Sequence, residues 1–162
     1  MGHRVAQFIG HLTARVDPGE IERARPLLPD TAWPLFAEMP TADRRHALDV
    51  AARLAAAGER DPDLLAAALL HDAAKGHRMR LWHRVAGVLL EAVAPRTLAR
   101  LASPDQRSWR YPFHLYLHHA ALSAAAALAA GCSPRTAALI RGSIDPADAP
   151  LAAALRRADE GG

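Results

Sequence analysis

The sequence predicts an all-α fold, built as a single domain over 162 residues. Three observations carry that expectation. Apolar residues recur at spacings of three and four in one stretch after another, which is the period of a buried helix face. Proline and glycine punctuate those stretches at the places where helices start and stop. No run sustains the alternation of a half-buried strand, and no internal repeat is visible. Much of the apolar content is alanine, which suits close-packed helices with few aromatic side chains between them.

Val5, Phe8, Ile9 and Leu12 predict a first helix over 3–16. Asp17-Pro18-Gly19 ends it, and Pro18 opens a second through Ile21 to Leu28. Pro29-Asp30-Thr31 restarts the chain into a short helix with Trp33, Leu35 and Phe36. Residues 1–40 hold no convergent polar cluster and read as a packing layer. Residues 41–160 form the remaining core. Thr41 is the expected N-cap of a helix through His46, Val50 and Leu54, stopped by Gly58. Asp61 caps and Pro62 opens an apolar helix, Leu64 to Leu70, that delivers His71 and Asp72 at its C-terminal end. Leu81 to Val93 predicts another helix ended by Pro95, and Leu98 to Leu101 adds a turn. Residues 103–112 form the most polar, loop-like stretch. Phe113 to Ala130 is a long helix closed by Gly131, Ser133-Pro134 caps one reaching Arg141, and Asp145-Pro146 starts the last.

Apolar content of 51% beside 23% charged residues excludes a disordered chain. A single cysteine, Cys132, forms no internal disulfide and offers no zinc-finger spacing, as expected in a reducing cytoplasm. The first residues lack the apolar core of a signal peptide, and the run from Ala120 to Ala130 is too short to span a bilayer. A cytoplasmic protein without a membrane partner is the expectation. The net charge of +3 favours anionic ligands in general. The arginines form no continuous stripe and the aromatics are few, which argues against nucleic acid. No glycine-rich phosphate loop follows a strand, so a nucleotide site of that kind is not expected.

The stretch 69–76, Leu-Leu-His-Asp-Ala-Ala-Lys-Gly, places a histidine, a carboxylate and the only lysine of the chain within five residues. Neighbouring helical residues project about 100° apart, so both His71 and Asp72 can face one ion lying between them. Imidazole and carboxylate together suit Fe, Mn, Ni, Co or Zn. Taken singly, a helix histidine is more often a surface residue or a satisfied core residue. Taken jointly, a helix bearing His46, an apolar helix ending in His71-Asp72 with Lys75 three residues on, and Asp159 in the last helix form a specific pattern.

That pattern resembles the HD-domain superfamily of metal-dependent phosphohydrolases. The stretch 45–51, Arg-His-Ala-Leu-Asp-Val-Ala, is similar to that family's first histidine helix. The stretch 68–75 resembles its namesake motif, and 155–159, Leu-Arg-Arg-Ala-Asp, its closing aspartate. The resemblance covers roughly 41–160. It implies an orthogonal helical bundle in which His46, His71, Asp72 and Asp159 hold a divalent transition metal. A water activated by that metal attacks a nucleotide or other small phosphate ester. Asp72 is implied as the pivotal catalytic carboxylate, Lys75 as catalytic and phosphate-binding, and Arg78 as a further phosphate contact. Many members hold a second metal with two more histidines. His119 matches one of them, but Gly142-Ser143 stands where the other is expected, which favours one ion over two. His118 and His83 are possible substitutes, and Asp43 or Asp49 can support His46 from behind. The alternative is a degenerate HD module that binds a nucleotide or a partner protein without turnover. Cys132 has no basic neighbour in sequence, so a cysteine nucleophile is not expected.

Overall fold

Proline opens most of the helices, because its fixed φ suits the first turn and its missing N–H costs nothing there. The computed structural model describes residues 15–142 and 145–161, and among them every regular element is helical. In chain order these are α1 (Pro18–Ala24), α2 (Trp33–Ala37), α3 (Thr41–Ala56), α4 (Pro62–Leu70), α5 (Leu81–Val93), α6 (Pro95–Leu101), α7 (Tyr111–Ala129), α8 (Pro134–Arg141) and α9 (Ala149–Glu160). Short 3-10 turns lie at Arg25–Leu27 and Pro146–Asp148. The helix expected over 3–16 and the substitution at Ser143 fall outside the described residues, except for Arg15 and Val16 of the former.

Two details differ from the sequence expectation. Thr41 is not the N-cap of α3: Pro40 holds that position in extended backbone, and Thr41 is already helical. A proline before the helix sets the entry angle on its own, so the hydroxyl is left to accept from Arg44 Nη2 at 3.3 Å. The turn expected at Leu98 to Leu101 is a seven-residue helix, α6, because Pro95 opens it as well as ending α5. Other caps match their residues. Asp61 Oδ1 accepts from the Leu64 N–H at 3.0 Å, and Ser133 Oγ accepts from the Thr136 N–H at 2.9 Å.

The centre of the molecule is α4. All seven residues from Leu64 to Leu70 are buried, so the helix contacts protein on every side. It packs against α2, α3, α7, α8 and α9. Phe36, Val50, Leu54, Leu64, Leu69 and Leu70 are almost fully enclosed. The N-terminal ends of α4 and α8 are joined by a polar knot. Asp63 accepts from Ser133 Oγ and from Thr136 Oγ1, while Arg135 reaches Asp61, Asp63 and Asp148. The C-terminal end of α4 is thereby aimed, with little freedom, at the gap between α3, α7 and α9.

A smaller layer, α5 and α6, packs on the first half of α7. It buries Met79, Leu98, Phe113 and Leu115 apart from the main core. Gly87 marks the closest crossing, since a Cβ there would lie 2.7 Å from the Tyr116 ring. No helix among the described residues is long and apolar enough to cross a membrane.

Truncating Leu69, which is completely enclosed, is expected to cost about 2–5 kcal/mol in urea unfolding, as core Leu→Ala changes do. The same truncation at exposed Leu89 on α5 should stay within about 0.5 kcal/mol. Equal losses at both positions would show that α4 is not the central strut.

Candidate metal centre

His46 comes from the middle of α3, His71 from the C-cap of α4 and Asp159 from the last turn of α9. One ligand atom from each lies within 4.8 Å of the others. His46 Nε2 is 2.7 Å from Asp159 Oδ1, and His71 Nε2 is 3.5 Å from the same oxygen. The two imidazole rings meet edge to face, 5.4 Å between centroids. The backbone supports this convergence: Arg53 on α3 donates to the Ala158 carbonyl at 2.8 Å, fixing the end of α9 beside α3.

His71 carries the most telling geometry. Its Nδ1 donates to the Ala68 carbonyl, one turn back, at 2.9 Å. In the neutral imidazole that bond commits the one proton to Nδ1 and leaves the Nε2 lone pair pointing away from its own helix, toward Asp159 Oδ1 at 3.5 Å. Nε2 is buried and has no hydrogen-bond partner among the described residues. A buried polar atom without a partner is costly, and a ligand atom waiting for an ion is one physical reason to have one. His119 repeats the arrangement: its Nδ1 bonds the Tyr116 carbonyl at 2.9 Å, and its Nε2 lies 3.7 Å from Asp72 Oδ1. The donor set of imidazole nitrogens and a carboxylate fits a divalent transition metal.

Asp72 stands beside these three residues, almost wholly enclosed. Its Oδ2 accepts from Lys75 Nζ at 2.6 Å and lies 3.7 Å from His71 Nε2. Burial alone would push this carboxyl up, but the Lys75 ammonium, with His71 and His119 behind it, holds it far below the usual range. Asp159 is also held low, by the hydrogen bond from His46 and by His71 beside it, against a smaller opposing effect of burial. Burial opposes charge on His71, and the carboxylates of Asp72 and Asp159 outweigh it, so its pKa rises. His119 moves the other way, because burial and the nearby Lys75 ammonium both disfavour its charge.

Of the residues singled out from sequence, the fold brings together His46, His71, Asp159, Asp72, Lys75 and His119. The others lie elsewhere. Arg78 is exposed, with its guanidinium over the Tyr111 ring at 5.2 Å. Both Asp43 carboxylate oxygens accept from Arg84 Nη2, at 2.8 and 2.7 Å, and Asp49 pairs with Arg45 at 2.9 Å. His83 is buried against Trp82 and accepts at Nδ1 from the Arg80 N–H, and His118 packs at a tilt against His114, 4.5 Å between centroids. Neither joins the group. Burial pushes the Cys132 thiol up, which keeps it from acting as a nucleophile.

Two contributions went unassigned in sequence. Ser123, fully enclosed in α7, accepts from the Ala74 N–H at 2.9 Å and so pins the turn between His71 and Lys75. Its position one turn after His119 on the same helix is the only available sign. Arg141 and Arg156 line a cavity of about 180 Å³ together with His71, His119 and Asp159. The pairing of these arginines across α8 and α9 has no signature in the chain. Comparison with protein-family models, curated proteins and solved structures finds no match to this chain.

The opposed shifts of Asp159 and His71 predict a pH window. A lowered carboxylate contributes stability above its unfolded value near 3.8, lost as pH falls toward the folded value. A raised imidazole contributes fully below 6.5, and that contribution is lost as pH rises through the folded value. Metal-free Asp159→Asn should therefore fall furthest below wild type between about pH 4.5 and 6.5, with the gap closing on both sides. Urea unfolding across a pH series, with chelator present, measures it. A gap independent of pH would contradict the ion-pair assignment.

Proposed function

We propose that this chain is a metal-dependent phosphohydrolase, an HD-like orthogonal helical bundle acting on a nucleotide or another small phosphate ester. The observation that carries the reading is the buried, unpartnered His71 Nε2, set within reach of His46 and Asp159. His46, His71 and Asp159 hold one divalent transition ion, with Asp72 next to them as the fourth candidate ligand. Such an ion, when bound, makes water acidic enough to ionise near neutral pH and offsets negative charge on phosphoryl oxygens.

The side chains around it have separable roles. His71 presents Nε2 because the Ala68 carbonyl keeps its proton on Nδ1. Asp72 accepts the proton of the attacking water once Lys75, the main group holding its pKa down, has turned to the phosphate. Lys75 leaves Asp72 to meet a non-bridging phosphate oxygen as a compact charge. The cavity wall formed by Arg141 and Arg156 favours an anionic group close to these residues.

A second reading rests on the Lys75–Asp72 pair. At 2.6 Å it occupies the carboxylate oxygen nearest His71, as it would in a domain that binds a phosphorylated ligand or a partner without turnover.

Protein purified without chelators is expected to carry about one ion per chain by elemental analysis, lost in His71→Ala and Asp159→Ala. Asp72→Asn should keep the fold and lower metal-dependent release of phosphate or nucleoside by roughly 10²–10⁴-fold. Metal-loaded wild type that binds nucleotides yet hydrolyses nothing in a nucleotide and phosphoester panel would move the assignment to the second reading.

A further inference from the structure

Helix α5 is apolar on two faces, and among the described residues only one of them is covered. Inward, His83 and Gly87 pack against α7. Outward, Trp82, Val85, Leu89 and Val93 follow one another at spacings of three and four, so they share a single stripe. They are 53%, 49%, 60% and 79% exposed. Trp109, 68% exposed, lies close to Trp82, since both pack edge-on against Phe113, at 6.5 and 6.2 Å. Scattered exposed leucines are ordinary, whereas a continuous stripe with two tryptophans at one end is not.

The charge of the chain is concentrated on the same segment. Residues 77–110 contain seven arginines against two carboxylates, a local net charge of +5 in a chain whose total is +3. The remainder is therefore acidic on balance. Arg78, Arg80, Arg96, Arg100 and Arg107 are exposed, and none forms an ion pair among the described residues. Of the two carboxylates, Glu91 is engaged by the Tyr116 hydroxyl at 2.6 Å.

We propose that the outer face of α5, with Trp109 and the flanking arginines, docks on an anionic lipid surface. An apolar stripe bordered by arginines, with tryptophans at its edge, has the amphipathic chemistry of an interfacial helix. A second copy of the chain is disfavoured, because it would bring two strongly basic segments face to face. A stripe along one helix of about 20 Å suits insertion among lipid headgroups better than the packed, standard-sized contact that a protein partner needs. This docking lies along the surface. It requires no spanning helix, and it does not depend on the metal centre.

Co-sedimentation of the full chain with vesicles tests it. Phosphatidylcholine vesicles containing about 30 mol % phosphatidylserine are expected to bind at least roughly tenfold more tightly than phosphatidylcholine alone, with binding weakened by added salt. The paired change Leu89→Glu and Val93→Glu should remove that binding. Circular dichroism and the melting midpoint should stay as in wild type, because both side chains face outward. A second pair, Arg96→Glu with Arg100→Glu, should abolish the preference for anionic vesicles. Equal binding to both vesicle types, or none, overturns the proposal. So does a concentration-dependent dimer in sedimentation velocity that the Leu89→Glu and Val93→Glu changes dissolve, which would assign the stripe to a second copy.

Discussion

Asp72 is a carboxylate with almost no contact with water, placed at the end of the most buried helix among the described residues. Its charge has to be met from within the protein, since an uncompensated buried carboxylate would cost several kcal/mol or take up a proton. The surrounding side chains meet it: Lys75 at 2.6 Å and His71 at 3.7 Å. Much of the architecture then follows. Helix α4 must end at His71, the turn after it must fold back so that Lys75 reaches Asp72, and α7 must pass close enough to supply both His119 and the hydroxyl of Ser123. The polar knot of Arg135, Asp61, Asp63 and Asp148 secures the opposite end of the same helix.

The layer of α5 and α6 is held differently. Its apolar contacts are with α7, and the Arg84–Asp43 pair ties α5 to α3. Asp43 is deeply buried and one turn before His46. A buried pair of this kind fixes geometry at little net gain in stability, which makes it a rigid tether. The result is a layer fixed in position yet apolar on its outer face, a combination that stability does not require.

Helix positions were legible to a large extent because proline, glycine and capping aspartates act locally. Asp61-Pro62, Ser133-Pro134 and Gly131 each mark an end that the structure shares. Thr41 misled because Pro40, one residue earlier, takes the capping position by constraining the backbone instead of by a side-chain hydrogen bond. In the candidate site, His46, His71 and Asp159 were legible only as a joint pattern, and the fold does bring them together. Arg78, Asp43 and Asp49 were grouped with the site by sequence proximity. On a helix, proximity says little about facing direction, and their partners prove to be Tyr111, Arg84 and Arg45.

The sequence by itself determined that the chain is helical, where α4 stops and that a histidine and an aspartate stand at its end. These are consequences of local backbone preference and of apolar periodicity over a few turns. The tertiary structure decided which groups face them: the Ala68 carbonyl that sets the His71 proton, Lys75 as the counterion of Asp72, and the arginines of α8 and α9 around the cavity. It also decided that one face of α5 stays uncovered by the described residues, although its sequence reads like any buried helix. Charge compensation and burial depend on what lies across a few ångströms of space, and residues far apart in the chain meet there only after the helices have packed.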